Sequence, residues 1–188
     1  MRAEIAIIPG MNTPPLPTAE TVPSMLAGAI GQIEFARRYT LELLAATPRE
    51  RWFEMPADLP TNIAWQVGHL TVSQYGLLLF RIRGREPDDL ELIPGKFRKA
   101  YGRGSVPSAD PASQPSPGEL LDRMAKVYEV AGRELPSVDA ATLLEPVDMP
   151  YAAFPNKLGA ILFCPLHEQI HCGHIGMLRR ALGLDPVR

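Results

Sequence analysis

Where proline falls constrains this chain more than any other feature. Twenty of its 188 residues are proline, roughly twice the usual share. Proline inside a helix removes a hydrogen bond and clashes with the preceding turn, so long helices belong in the stretches that lack it. Four such stretches exist: residues 24–47, 61–86, 118–135 and 156–185, the last interrupted once by Pro165. Each shows helical spacing. Leu26, Ile30, Ile33, Leu41 and Leu44 share a face in the first, and Trp65, His69, Val72, Gly76 and Leu79 in the second, where Asp58 or Thr61 is the expected cap. The third opens with Ser116-Pro117-Gly118-Glu119, which places Ser at the cap, Pro at the first helical position and Glu at the third. Leu120, Met124, Val127, Ala131 and Leu135 follow on one face. The fourth ends in Arg179, Arg180 and then Gly183, a favourable C-terminal arrangement, and Pro165 is expected to kink it or to start its second half.

Only Glu4-Ile5-Ala6-Ile7 alternates like a strand. The reading is therefore all-α: a four-helix bundle with long irregular connections, made of an N-terminal arm over 1–23 and one bundle domain over 24–185. The connection over 83–115 is too long for a plain bundle loop, and a short helical turn around Gly95–Tyr101 is expected to interrupt it.

Charge and hydropathy narrow the function classes. Nineteen Lys and Arg stand against 21 Asp and Glu, a net charge of −2 with the signs mixed. With no basic block to neutralise a run of phosphates, no nucleic-acid partner is expected. Apolar runs such as residues 158–164 fall far short of the roughly 18 residues that span a bilayer, so no membrane partner is expected. The lone Arg2, then Glu4 and a short apolar patch do not make a secretory signal. Cys164 and Cys172 lie eight apart in one expected helix and cannot bridge there, which suits a reducing cytoplasm.

All four histidines fall on two of the helices: His69, His167, His171 and His174. His167 and His171 are one turn apart on one side, a spacing at which two imidazoles grip a single ion. His174 lies about 10.5 Å along the axis from His167, too far to share a small ion with both. It is expected to line the pocket or support a ligand imidazole. The third ligand should come from another helix, and His69 on the inward stripe of the second helix is the candidate. Three neutral imidazoles with one open position describe a catalytic-type zinc site, and imidazole also suits nickel. Cys164, three residues before His167, is by default a small buried apolar residue.

His167-Glu168-Gln169-Ile170-His171 also matches the H-E-x-x-H pattern of zinc proteases, with Glu168 as general base. That pattern is short, only 17 residues follow it, and no clear strand edge is present to align a peptide. The wider context is similar to something else. Asn62-Ile63-Ala64-Trp65-Gln66-Val67-Gly68-His69-Leu70 resembles the second-helix motif of the DinB/YfiT-like family of metal-binding four-helix bundles. The run His167-Glu168-Gln169-Ile170-His171-Cys172-Gly173-His174-Ile175-Gly176-Met177-Leu178-Arg179-Arg180 resembles its last-helix motif, usually H-E-x-x-H-x-G-Q-I-G before a leucine and arginines. The stretch Tyr101-Gly102-Arg103-Gly104-Ser105-Val106-Pro107, with Asp110-Pro111 and Gln114-Pro115-Ser116, is similar to one branch. The likeness runs from about Ser24 to Asp185. It implies His69, His167 and His171 as ligands of a divalent metal such as zinc or nickel, a homodimer, and chemistry of the kind known in some members, thiol-dependent transfer or isomerisation with a low-molecular-weight thiol. The family name carries no implication of DNA polymerase activity. His174 departs from the pattern, standing where Gln is usual.

An ion held by neutral ligands keeps its full charge and lowers the pKa of a water or thiol toward neutrality. The expected function is a divalent-metal-dependent transferase of small-thiol type, or a hydrolase, acting on a small-molecule substrate. Glu168, about 100° around the helix from His167 and about 60° from His171, is the candidate base or else a carboxylate orienting a ligand. The alternatives are a non-catalytic, stress-associated metal-binding protein and the zinc protease. Tyr101, Arg103 and Tyr151 sit in connections that could cover the bundle mouth, without a spacing argument to place them. Finally, Val67, Leu70, Leu77, Leu78, Leu79 and Phe80 point in several directions at about 100° per residue, from which a homodimer through the first two helices is expected.

Overall fold

The structure is a computed structural model and describes residues 15–56, 59–149 and 152–187. Glu4 to Ile7, most of the N-terminal arm, Asp58 and Tyr151 lie outside the described residues. Four long helices make the bundle: α1 (Val22–Ala45), α2 (Ile63–Tyr75), α6 (Pro117–Glu134) and α8 (Lys157–Ala181). Short pieces occupy the connections: α3 (Arg81–Arg83), α4 (Asp89–Leu92), α5 (Gly95–Tyr101) and α7 (Ala140–Leu144). No strand occurs among the described residues, only an isolated bridge between Pro146 and Asn156. The fold is all-α, as the proline spacing predicts. α1 lies along α8, α2 along α6, and α2 also packs on α8.

Helix ends follow local chemistry with two corrections. α1 starts before Pro23, because proline in a first turn lacks only an N–H that would be unpaired anyway. α2 is capped by Asn62, not by Asp58 or Thr61: its Oδ1 accepts from the Trp65 amide at 2.9 Å while its Nδ2 donates to the Ser108 carbonyl at 2.8 Å. α6 shows the expected capping box, Ser116 and Glu119 each bonding the other's backbone amide, and buries Leu120, Met124, Val127 and Ala131. Asn156 caps α8 through the Gly159 amide. At the far end Gly183 adopts φ +74°. Its amide bonds the Arg180 carbonyl, and the Leu184 amide bonds that of Arg179, the paired closure that a left-handed residue permits. α8 stays helical through Pro165 from Lys157 to Ala181.

The face that α1 buries differs from the expected stripe. Leu41 is exposed, and the inward positions include Arg37 and Thr40 beside Leu26, Ala29, Ile33 and Leu44. α2 is the central helix. Val67 and Leu70 of α2 and Leu77, Leu78 and Leu79 just beyond it are all buried by this chain alone, and of the six apolar residues read as pointing in several directions Phe80 is the exposed one. The apolar surplus that suggested a dimer through α2 is thus consumed by the core. After Tyr75 the helix widens into a π turn over Gly76–Phe80 before α3.

The long connection after α3 is pinned by a buried carboxylate. Asp89 takes two bonds of 2.9 Å from Arg83, one of 2.9 Å from the Tyr75 hydroxyl and one of 2.9 Å from the Glu86 amide. Burial pushes this carboxyl up, but the Arg83, Glu86 and Tyr75 hydrogen bonds and the Arg83 charge outweigh it and hold it at about 2. Arg83 also reaches Glu134 of α6 at 2.6 Å. Asp89→Asn is expected to cost about 1–3 kcal/mol, because it removes a buried carboxylate that accepts from Arg83, Tyr75 and Glu86 together and leaves Arg83 only its partly exposed ion pairs to Glu134 and Glu86. A urea titration at neutral pH measures this. The folded pKa lies below the unfolded value of 3.8, so the wild-type advantage is complete above about pH 4 and fades as pH falls through about 2.

Candidate metal centre

α2 and α8 bring His69, His167 and His171 together. One ring nitrogen from each lies within 4.8 Å of the others. The Nε2 atoms of His167 and His171 stand 3.3 Å apart. Two ligands of a tetrahedral ion at about 2.0–2.1 Å are separated by about 3.3–3.4 Å, so this pair already has the spacing of adjacent corners. The hydrogen bonds on the other side of the rings decide which nitrogen is free. His69 Nδ1–H donates to the Tyr101 carbonyl at 2.8 Å, and His171 Nδ1–H donates to Gln66 Oε1. Each Nε2 then carries a lone pair directed into the cluster, the arrangement in which outer partners hold a ligand imidazole. Lone pairs converging in this way repel one another unless a cation lies between them, and that fits a divalent ion.

Burial is the main force on all three rings. It pushes His69 down against its bond to Tyr101. It takes His167 to about 4, helped by His69 and His174, and His171 to about 3, helped by His167, His69 and His174. Imidazoles held neutral in this way are in the ligand form.

The supporting contacts are specific. Gln66 Nε2 donates to Thr61 Oγ1 at 2.9 Å, which turns Oε1 toward His171. Trp65 stacks on His69 with centroids 4.7 Å apart and 9° between planes, and its Nε1 donates to Ser105 Oγ at 2.9 Å. Ser73 Oγ lies 3.3 Å from His69 Nε2. Gln66, His69 and Ser73 occupy positions i, i+3 and i+7 of α2, so their common face was readable from spacing. The Tyr101 carbonyl was not, since any residue offers one. What admits it is Gly68, where a methyl group would overlap the Tyr101 ring.

Other expected site residues are placed as follows. His174 is exposed, edge-on to His171 at 5.3 Å, and lines a cleft beside it. Glu168 is not brought into the cluster. It is 2% exposed and bonded to α1, with Oε1 accepting from Arg37 Nε and Thr40 Oγ1 at 2.8 Å each. Nor does Cys164 join the imidazoles; its buried thiol is pushed up by desolvation first. Arg103 lines a cleft at the cluster, and Tyr101 contributes its carbonyl.

Two clefts meet the histidines from opposite ends. One of about 590 Å³ reaches His69 and His167 alongside the later turns of α2 and Phe163 of α8. The other, of about 420 Å³, reaches His171 and His174 beside Trp65 and Gln66.

Gly68→Ala reads the Tyr101 contact by its sign. In an ordinary helix interior the change stabilises by about 1 kcal/mol. Here it must displace the Tyr101 ring, and a net loss of about 1–3 kcal/mol is expected, seen as a lower melting temperature.

A comparison with protein families matches residues 32–175 to the DinB superfamily. No curated protein matches the chain. The match takes in all of α2 and α8 as far as Ile175, and so all four histidines, and a largely buried cluster of three imidazoles between these helices fits the metal-binding character of that family. The chain belongs to the DinB superfamily.

Proposed function

We propose that this protein is a divalent-metal-dependent transferase acting on small molecules, with a small thiol as the group transferred and hydrolysis as the other use of the same site. The observation that carries the reading is the convergence of one ring nitrogen from each of three imidazoles, two of them with Nε2 freed by a hydrogen bond at Nδ1, each ring beside an open cleft. A purely structural metal site is closed on all sides, whereas two clefts leave room for two reactants. Zinc or nickel suits the all-imidazole donor set.

His69, His167 and His171 would hold the ion, which when bound supplies a Lewis acid that lowers the pKa of a thiol or water. The chain's own residues do the rest. The Tyr101 carbonyl and Gln66 fix two imidazoles in one tautomer. Trp65 keeps the His69 ring from rotating. Phe163 and Val72 form apolar wall beside His167 and His69, which limits water around a reacting group. The protease reading loses its base, because Glu168 is committed to Arg37 and Thr40.

A homodimer and a cytoplasmic location belong to the same proposal. Among the described residues no helix is long and apolar enough to cross a membrane. For the dimer, family likeness is joined by Leu166, Ile170 and Met177, exposed on α8 at spacings that share a face. Sedimentation equilibrium at micromolar concentration tests it, and a mass fixed at 20.6 kDa argues against it.

Metal analysis tests the centre. His171→Ala is expected to abolish stoichiometric zinc or nickel binding, while Gln66→Leu weakens it about 10–100-fold. Saturating metal at 100 times its Kd should stabilise wild type by about 2.7 kcal/mol and leave His171→Ala unmoved. For turnover, the loaded protein is offered a panel of small thiols with 1-chloro-2,4-dinitrobenzene. Thiol conjugation that EDTA removes and metal restores is expected, and equal rates with and without metal would overturn the reading.

A further inference from the structure

The larger cleft is charged as well as apolar. Val72, Leu77, Phe80, Ile93 and Phe163 form apolar wall, and Arg81, Arg85, Arg98 and Arg103 line the same space. No acidic residue lines it, and none of these four guanidiniums pairs with a carboxylate among the described residues. Arg37, Arg51 and Arg83 do have such partners. A chain with more acids than bases overall thus gathers four cations around one cavity, and no carboxylate among the described residues pairs with any of them. Like charges lining a low-dielectric cleft raise its potential and attract an anion. Guanidinium forks suit the planar oxygens of a carboxylate and the oxygens of a phosphate.

The arginines come from two segments with different supports. Arg81 is anchored by its own bond to the Gly76 carbonyl at 3.0 Å, at the start of the π turn that shapes this wall. Such turns inside α-helices are frequent at functional sites. Arg98 and Arg103 flank Tyr101, the residue whose carbonyl fixes His69. An anion drawn to Arg98 and Arg103 would therefore sit on the segment that orients one imidazole.

The geometry points to a substrate that is a small anion: an apolar body against Val72, Leu77 and Phe163, a carboxylate or phosphate on the arginines, and its reactive end toward His69 and His167. This rests on the cleft being the substrate's route to the proposed metal centre, but the binding event is measurable without metal. The cavity of about 590 Å³ lies in the range of ordinary small-molecule sites.

The test is calorimetric titration of the full chain, EDTA-treated and metal-loaded, with 3-phenylpropionate, phenyl phosphate and the neutral 3-phenylpropanol. Both anions are expected to bind at least tenfold more tightly than the alcohol, and the tighter of the two identifies carboxylate or phosphate as the better fit. Arg98→Gln and Arg103→Gln should each weaken the anions about tenfold, consistent with loss of one charge-assisted contact, and leave the alcohol unchanged. Lys99→Gln, which removes the same charge from α5 outside the cleft, should change nothing. The proposal is overturned if the alcohol binds as tightly as the anions, or if Lys99→Gln weakens the anions as much as Arg98→Gln does. An arginine-dependent preference that persists in EDTA-treated protein and in His171→Ala supports the anion site even where the metal reading fails. Loss of the preference with full metal content overturns this inference and leaves that reading standing.

Discussion

The buried ion pair between Arg37 and Glu168 sets the rotation of α8, and the histidine cluster follows from it. Arg37 of α1 is 5% exposed and Glu168 of α8 is 2% exposed. Arg37 also donates to Gln74 Oε1 of α2 at 2.8 Å and lies over the Tyr128 ring of α6. One guanidinium therefore touches all four long helices. With Glu168 turned to α1, the neighbouring positions His167 and His171 point about 60–100° away, toward α2 and His69. Arg179 fixes the axial position of α8 by donating to the Leu43 and Ala46 carbonyls and to Thr47 Oγ1, which also satisfies the open end of α1. An ion pair this deep adds little net stability over an apolar replacement. Its effect here is to exclude other rotations of α8, since any of them would leave a buried charge alone.

The long connection contributes to the site instead of merely joining α2 to α6. Asp89 anchors its beginning to Arg83 and Tyr75. Arg123 of α6 holds α4 through the Glu91 and Leu92 carbonyls and stacks over Phe97 of α5. Gln114 accepts from the Tyr101 hydroxyl at 2.8 Å. With both ends held, α5 can lay Tyr101 across Gly68 and deliver a carbonyl to His69. The same connection supplies Ser105 to Trp65 and three arginines, Arg85, Arg98 and Arg103, to the larger cleft. The order of this connection and the orientation of one imidazole are thus a single problem.

Much of the framework was readable in the chain itself. Proline-free stretches located the four long helices, Ser116 and Glu119 announced the start of α6, and the period of Leu120, Met124, Val127 and Ala131 identified its buried face. The His167–His171 spacing and the lone His69 on the second stripe named the three imidazoles that the fold brings together. These features depend on contacts between residues no more than about four apart, or on the rule that an apolar stripe faces inward. Tertiary packing decided the rest: that Glu168 turns to Arg37 and away from the imidazoles, that α2 is central so its apolar surplus is covered, and that Gln66 and the Tyr101 carbonyl hold the ligand rings. A side chain's partner across helices depends on the rotation and register of whole elements, and a backbone carbonyl carries no residue-specific mark, so neither is written in local spacing.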